Sequence, residues 1–295
     1  MSLAPIALFV YNRPWHVMQT VDALKRNGLS KKSDLFIFSD SPKNKSSEED
    51  AIKVREYIET IKDFKSVTII LRKENFGLAK SIVTGVSEIV DRYGRIIVME
   101  DDIVSSPFFL KFMNDALDFY SSEERIASIS GYMYPVKLHL PETFFLRGAD
   151  CWGWATWKRG WEIFEKDAKK LLDELRLRNL TKEFDYDNTY GYTKMLYDQV
   201  DGRIDSWAIH WHASSFLKGK ISLYPGRSLV RHIGNDGSGT HLDRSNALDC
   251  DVANRPVNVS GIFVEENQAV CQEMKNYFQS IKPPLMKRIF RKLWG

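Results

Sequence analysis

RIIVMEDDIV, residues 95–104, is a short apolar run that ends in three consecutive carboxylates, Glu100, Asp101 and Asp102. The apolar part predicts a buried strand. Carboxylates at the carboxyl end of a central strand lie where open α/β sheets bind ligands, and they are the oxygen ligands that Mn²⁺ or Mg²⁺ prefers. The stretch therefore predicts a metal and phosphate site. An acidic turn that leads into a helix N-terminus is the alternative.

The residues before this stretch alternate between strand and helix patterns. Apolar runs of strand length occur at residues 6–10, 35–38 and 67–71, and the segment after each of them carries apolar residues at helical spacing. This alternation predicts an α/β fold with a mostly parallel, doubly wound sheet and flanking helices. We expect the loops at the carboxyl ends of the strands to converge on one edge of the sheet.

The composition limits the class of protein. A chain of 295 residues with 43% hydrophobic and 27% charged residues describes one large globular unit or two small ones. A net charge of +3 is too small to indicate nucleic-acid binding. Cys151, Cys250 and Cys271 form no pattern of a disulfide framework or zinc site. Without a leader pattern or a membrane-spanning apolar segment, we expect a cytoplasmic protein.

The second half of the chain loses the strand and helix alternation. Strand-like runs at residues 126–131 and 144–146 precede a segment, residues 151–161, that contains four tryptophans. Stacking on a sugar ring is one explanation for Trp152 and Trp154, and a rigid aromatic cluster beside the site is the other. The sequence thus predicts a mixed second half that either binds a sugar or carries a rigid aromatic cluster.

Two further side chains are candidates for chemistry. Asp205 opens residues 205–211, whose apolar residues predict a helix with Asp205 at its N-terminus. Its carboxylate is either a helix cap or a catalytic base. His232 follows a short strand predicted at residues 228–230, and it is either structural or a metal ligand, since imidazole binds divalent ions.

Several of these segments together resemble a known family. Residues 8–24, 38–40 and 98–109 are similar to the inverting GT-A glycosyltransferases, most closely the N-acetylglucosaminyltransferase I family. Residues 100–102 look like that family's E-D-D variant of the D-x-D motif. Asp205-Ser206-Trp207 is similar to its acidic D-D-W segment, although Ser206 replaces the second acid.

The resemblance implies a GT-A fold, which is Rossmann-like, and a nucleotide-sugar donor, usually linked to UDP. A divalent ion, Mn²⁺ or Mg²⁺, would bridge the two phosphates. Asp102 would coordinate this ion, with His232 as the second candidate ligand, and Asp101 would reach the ribose.

The resemblance assigns further residues to the donor. Asp40 would accept a hydrogen bond from the uracil imide, and Arg13 and Lys80 would contact the diphosphate. The remaining donor-binding candidates are Tyr11, Asn75 and Glu100.

The chemical step implied is inverting transfer. Asp205 would take the proton from an acceptor hydroxyl as that hydroxyl attacks the anomeric carbon, which forms a β-linkage from an α-linked donor. The acceptor would be a glycan or glycolipid that contacts Trp152, Trp154 and Trp207. Such an activity is typical of polysaccharide biosynthesis.

A single GT-A domain of residues 1–295 is expected, with a nucleotide-sugar-binding half (1–131), an acceptor and catalytic half (132–280) and a basic amphipathic tail (281–295). The tail suits an anionic membrane surface, or it docks on the domain as a helix.

Two other functions stay open. A sugar-phosphate nucleotidylyltransferase shares the α/β layout but normally carries a Gly-rich N-terminal signature that this chain lacks. A non-catalytic carbohydrate-binding protein would keep the tryptophans, but it would not need acids at the strand ends.

Overall fold

The computed structural model describes residues 2–235 and 247–282. The strands in these ranges are β1 (Ile6–Val10), β2 (Asp34–Ser39), β3 (Ser66–Leu71), β4 (Arg95–Glu100), β5 (Ile103–Ser105), β6 (Ile126–Ser130), β7 (Thr143–Arg147), β8 (Trp154–Trp157), β9 (Ile221–Pro225) and β10 (Val230–His232). The helices are α1 (Pro14–Lys25), α2 (Glu48–Glu59), α3 (Gly77–Tyr93), α4 (Phe109–Phe119), α5 (Lys158–Trp161), α6 (Ala168–Leu177), α7 (Thr181–Phe184), α8 (Tyr192–Val200), α9 (Trp207–Leu217) and α10 (Gln268–Ile281).

Eight strands form one sheet in the order β3-β2-β1-β4-β8-β6-β9-β7. The strands β3, β2, β1 and β4 are parallel, and β8 joins β4 to the second half through antiparallel pairing on both of its sides. The predicted α/β class, with a mostly parallel sheet and flanking helices, is confirmed. The tryptophan segment was predicted to stack on a sugar or to form a rigid aromatic cluster, and no strand was predicted there, whereas residues 154–157 form strand β8.

Helices cover both faces of the parallel strands, so those strands are buried on both sides. On one face, side chains of α1, α2 and α4 pack against Leu8 and Ile97. On the other face, α3 and α9 pack against Phe9 and Val98. This two-sided burial explains why the first strands read as continuous apolar runs rather than as alternating patterns.

A separate two-stranded sheet places His232 beside the acidic turn. Strand β5 follows the carboxylates directly, and it pairs antiparallel with β10 so that Ile103 lies opposite His232. The Ile233 N–H donates to the Asp102 carbonyl oxygen at 2.8 Å, which extends this pairing. The strand predicted at residues 228–230 therefore lies two residues later in the chain, at Val230–His232.

Helix α9 begins one residue later than predicted. Its N-cap is Ser206, whose side chain accepts a hydrogen bond from the Ile209 N–H. No N–H of α9, a helix that lies wholly within the described residues, donates to Asp205. The capping role that was open for Asp205 therefore belongs to Ser206.

Replacing Ser206 with alanine should lower the free energy of unfolding by about 1 kcal/mol, because a helix N–H loses its partner. Replacing Asp205 with alanine should change it far less. Urea unfolding of the two variants measures both effects. An equal loss in the two variants would contradict this assignment of the cap.

The remaining predictions concern contact with a membrane. Residues 283–295 of the basic tail lie outside the described residues, so its membrane contact stays a prediction. Within the described part of the chain, no helix combines the length and apolar character needed to cross a membrane.

Candidate functional site

The carboxyl ends of β1 and β4 meet at the point where the strand order reverses. From β1 the chain adds β2 and β3 on one side of the sheet, and it then returns to place β4 on the other side of β1. Loops at such a switch point diverge and leave a crevice outside the strand ends, where open α/β sheets bind ligands. The loop after β1 carries Arg13, and the turn after β4 carries Asp101 and Asp102.

Arg13 lies between the two aspartates. Its Nη2 atom donates to Asp102 Oδ2 at 2.7 Å and also to Asp101 Oδ1. Burial would lower the pKa of Arg13, but the charges of Asp101 and Asp102 outweigh it and raise that pKa. The aspartates are only 5% and 6% exposed, so the guanidinium supplies the positive charge that such buried carboxylates need. Arg13 Nη1 has no hydrogen-bond partner among the described residues.

His232 contacts the same carboxylate from the opposite side. Its Nε2 atom lies 3.1 Å from Asp102 Oδ2, and its ring stacks on Trp152 with centroids 4.6 Å apart. Burial would raise the pKa of Asp102, but the hydrogen bond and charge of His232, together with Arg13, lower it. The buried Nδ1 atom of His232 has no hydrogen-bond partner within the described residues.

The three consecutive carboxylates do not share one environment. Burial raises the pKa of Asp101 to about 6, although the charge of Arg13 acts in the opposite direction. Burial, and then the charges of Asp102 and Asp101, raise the pKa of Glu100 well above its usual range. Three carboxylates thus share this turn with one guanidinium, and a second cation would favour their ionised forms.

The chemistry of this donor set fits a divalent ion that a substrate helps to hold. Two ligands on adjacent corners of an octahedral ion, each about 2.1 Å from it, lie about 3 Å apart. Asp102 Oδ2 and His232 Nε2 are 3.1 Å apart. Among residues 2–235 and 247–282 no third His, Cys, Asp or Glu completes a metal site. Phosphate oxygens of a ligand would therefore have to supply the remaining coordination.

Asp40 serves a structural purpose in this fold. Its two oxygens accept hydrogen bonds from the backbone N–H groups of Ser41, Phe76 and Gly77 at 2.8 to 3.1 Å. The side chain is 5% exposed, and these donors occupy both oxygens. Asp40 thus holds the start of α3 against the end of β2, and its contact with a uracil imide stays a prediction.

The other predicted donor residues lie along the same edge with different partners. The Tyr11 hydroxyl donates to Ser47 Oγ at 2.9 Å, and Asn75 donates to the Ser41 carbonyl oxygen at 2.6 Å. Lys80 is exposed on the first turn of α3, and its ammonium group lies 3.8 Å from the centroid of the Phe76 ring. The same ammonium group forms a 3.5 Å ion pair with Glu74, whose side chain is also exposed.

The tryptophans divide into two groups. Trp154 and Trp207 are 0% and 4% exposed and stack on each other with centroids 5.5 Å apart. Their rings pack among Trp161 and Trp211 between the sheet and α9, so neither presents a free face to a sugar. These two residues form the rigid cluster that was the alternative to acceptor stacking. Of the three tryptophans predicted to contact an acceptor, only Trp152 is partly exposed, and it lies beside His232.

Asp205 is exposed at the N-terminus of α9. Trp207, two residues later, packs on Trp154, whose strand partner Val98 precedes Glu100 by two residues. The start of α9 therefore lies toward the carboxyl edge of the sheet, on the side of the acidic turn.

Gly234 is a site residue that the sequence analysis missed. A Cβ atom at this position would lie 2.4 Å from Asp102 Oδ2, 2.9 Å from His232 Cε1 and 3.0 Å from Arg13 Nη1. Only glycine lets the backbone approach this cluster so closely. Its position two residues after the candidate ligand His232 was the only feature of the sequence that could have pointed to Gly234.

The fold and the site define an α/β protein with an acidic crevice at the switch point of its parallel strands. No protein-family model matches the chain, and neither does any curated protein. Solved structures give only slight similarities. The mannosyltransferase PcManGT from Pyrobaculum calidifontis, in complex with GDP-Man and Mn²⁺, has a TM-score of 0.33 and 14% identity over 43% of this chain and 34% of that one.

Two other solved structures are similar to the same small degree. S. aureus TarS has a TM-score of 0.33 and 12% identity over 50% of this chain and 24% of its own. A UDP-glucose pyrophosphorylase complexed with UDP-glucose has a TM-score of 0.30 and 12% identity over 55% of this chain and 79% of its own. The chain spans about a third of the mannosyltransferase and a quarter of TarS. Similarities of this size carry no conclusion about activity, which has to come from the residues of the site.

Proposed function

We propose that this protein is a metal-dependent glycosyltransferase of the GT-A type that moves a sugar from a nucleotide-sugar, usually UDP-linked, to a hydroxyl group of a carbohydrate acceptor. One observation carries the proposal. Arg13, Asp101, Asp102 and His232 converge in the crevice between the ends of β1 and β4. An anion-binding guanidinium, an imidazole and buried carboxylates in one crevice suit a nucleoside diphosphate and its metal ion.

On the donor side, each residue has a role that matches its functional group. Asp102 Oδ2 and His232 Nε2 hold the divalent ion, Mn²⁺ or Mg²⁺, which when bound stabilises the charge of the departing diphosphate. Arg13 exchanges part of its contact with the aspartates for the diphosphate, and Lys80 reaches it from the start of α3. Asp101 accepts a hydrogen bond from a ribose hydroxyl group. The remaining donor contacts are Tyr11, Asn75 and Glu100.

On the acceptor side, Asp205 accepts the proton of the attacking hydroxyl, and Trp152 stacks on the acceptor sugar. Asp205 is suited to this because it is exposed and does not cap α9. Direct attack by the deprotonated hydroxyl inverts the anomeric centre, so an α-linked donor yields a β-linkage. The acceptor is a glycan or glycolipid.

A thermal-shift screen tests the donor half of the proposal. Since the described residues supply only two metal ligands, UDP and Mn²⁺ together should raise the melting temperature more than the sum of their separate effects. GDP and ADP serve as nucleotide controls, and EDTA removes the metal. A UDP-induced shift of the same size in EDTA would contradict the metal site.

Replacing Gly234 with alanine should weaken Mn²⁺ binding in the presence of UDP by about 10- to 100-fold, the usual effect of disturbing groups that orient metal ligands. The new methyl group has to displace the Asp102 carboxylate, which lies 2.4 Å from its position. Isothermal titration calorimetry with Mn²⁺ measures the affinity. Gly28→Ala is the matched control, because a Cβ atom there meets nothing within 4 Å. Unchanged affinity in Gly234→Ala would show that Asp102 does not hold the ion.

A further inference from the structure

Asp150 lies on the segment that crosses from the end of β7 to the start of β8. Its Oδ1 atom accepts a hydrogen bond from the Cys151 N–H at 2.7 Å. Two residues later, the same segment carries Trp152, which stacks on the candidate metal ligand His232. A short, continuous piece of backbone therefore connects Asp150 to the site at the acidic turn.

Tyrosines from several separate elements surround this carboxylate. Burial, and then the charge of Asp150, raise the pKa of Tyr190 to about 12, and the same two causes raise the pKa of Tyr134 and of Tyr224. Tyr134 follows β6, Tyr190 precedes α8 and Tyr224 lies on β9. All three phenols stay protonated at neutral pH, so they can donate hydrogen bonds toward the carboxylate.

The aromatic walls are packed against one another and against α10. The rings of Tyr190 and Tyr192 have centroids 4.5 Å apart, and Phe278 of α10 lies 4.5 Å from Tyr190 and 5.2 Å from Tyr134. Tyr134 and Tyr190 are nevertheless partly exposed, as is Asp150. The group is thus a partly exposed cluster of packed aromatic rings around one carboxylate, which we call the tyrosine recess (Tyr134, Asp150, Tyr190, Tyr192).

Strained backbone holds one side of the tyrosine recess. Tyr186, Asp187 and Asn188 all have positive φ angles, of 48°, 55° and 63°, which non-glycine residues seldom adopt. An ion pair of 2.8 Å between Lys275 and Asp187 ties this turn to α10. The turn places the Tyr186 ring against Tyr192 and Phe278. Strain of this kind persists only where the surrounding structure enforces it.

Asp150 has no positively charged partner for its ionised form. Within the described residues it forms no ion pair with Lys, Arg or His. Burial raises its pKa to about 6, although hydrogen bonds from the Cys151 backbone, the Tyr134 hydroxyl and the Trp152 backbone act in the opposite direction. Placing a carboxylate among aromatic rings lowers stability unless a ligand later uses it. A sugar has the matching chemistry, because its C–H faces stack on aromatic rings while its hydroxyls donate to carboxylates and accept from phenols.

We propose that the tyrosine recess binds the acceptor sugar, with Asp150 accepting hydrogen bonds from its hydroxyl groups and Tyr190 stacking on its ring. This inference rests on the proposed transferase function and names its acceptor class. The acceptor residue is a neutral sugar, because an acidic sugar such as a uronic acid would bring a second negative charge beside Asp150. Asp150 is thereby a residue of acceptor recognition and specificity, separate from the donor site.

Direct sugar binding tests the tyrosine recess without requiring catalysis. Saturation-transfer NMR with the methyl glycosides of neutral hexoses and of hexuronic acids, in the presence of UDP and Mn²⁺, compares the wild-type protein with Asp150→Asn. Wild type should bind a neutral glycoside and not the matching uronide. Asp150→Asn should weaken the binding of the neutral glycoside by about 10-fold or more, as loss of a hydrogen bond to a charged group does. The variant should also show a smaller difference between its affinities for the neutral glycoside and for the uronide.

A second variant and a measurement of UDP binding distinguish loss of sugar binding from misfolding and from damage to the donor site. Asp150→Asn removes a buried charge and should fold at least as stably as wild type, and Tyr190→Ala provides a second variant that should lose the same glycoside binding. Unchanged UDP binding in both variants confirms that the donor site is intact. Equal binding of neutral and acidic glycosides by the wild type, or unchanged binding in Asp150→Asn, would overturn the inference. Failure of wild type to bind UDP with Mn²⁺ would instead refute the proposed transferase function.

Discussion

Asp205→Asn should lower the rate of sugar transfer by about 10²- to 10⁴-fold, the usual contribution of a general base, and leave donor binding nearly unchanged. Asparagine keeps the size of the side chain but cannot accept the proton of the acceptor hydroxyl. The loss should appear in kcat and in kcat/KM equally, because the interaction exists only in the transition state. Steady-state kinetics with a saturating donor measures it, and calorimetry with UDP and Mn²⁺ confirms that the donor still binds.

The structure separates a catalytic role of Asp205 from a capping role, because Ser206 rather than Asp205 caps α9. A loss of turnover in Asp205→Asn thus cannot be attributed to a frayed helix, and its unfolding free energy should match that of wild type. Asp173→Asn is the control, since that carboxylate lies on the surface of α6 in a pair with Lys169. Transfer by Asp205→Asn at a near wild-type rate would place the base elsewhere. Asp150 would be the first residue to test, and a fall in kcat rather than a rise in acceptor KM would then identify it.

Asp102→Ala should abolish the dependence of UDP binding on Mn²⁺. The carboxylate is one of only two metal ligands that the described residues offer, and His232 alone would leave the ion to water and phosphate. Calorimetric titration of UDP with and without Mn²⁺ should give equal, weak affinities in the variant. The wild type should bind UDP much more tightly with the metal than without it.

The fold of this variant has to be checked, because breaking a buried ion pair can cost about 3 to 5 kcal/mol. The loss should be smaller here, since removing Asp102 also relieves its repulsion of Glu100. Asp102→Asn, which keeps the shape of the side chain, is the second variant. Asp115→Ala, in an exposed pair with Lys111, is the control for loss of a carboxylate. Metal-enhanced UDP binding that persists in Asp102→Ala would exclude this residue as a ligand.

The parallel half of the fold could be predicted from the sequence because its signals are local. Buried parallel strands are short apolar runs, and the helices between them carry apolar residues at helical spacing. These two patterns are easy to tell apart, so β1 was predicted at its observed bounds. Strand β8 was missed because the four tryptophans of residues 151–161 suggested a sugar-binding surface or a rigid aromatic cluster. Its strand identity depends on pairing with β4 and β6, contacts that no local pattern records.

The site was predictable in part for the same reason. Acids at the ends of strands could be assigned to one edge of the sheet, and the structure brings Asp101, Asp102, Arg13 and His232 into contact there. The structural role of Asp40 could not be foreseen, because its partners Phe76 and Gly77 lie more than thirty residues away in sequence. Gly234 and the tyrosine recess also depend on packing between distant segments, and only the folded chain reveals them.

The most direct test of the central claim is to identify which bond of the nucleotide-sugar is broken. Phosphorus-31 NMR can follow a panel of UDP-sugars incubated with the protein, Mn²⁺, pyrophosphate and neutral glycoside acceptors. The proposed transferase should release UDP only when the metal is present, and the sugar should appear on the acceptor with inverted anomeric configuration. Formation of UTP and a sugar 1-phosphate would show attack on phosphorus and contradict it, and so would the absence of any nucleotide product with every donor.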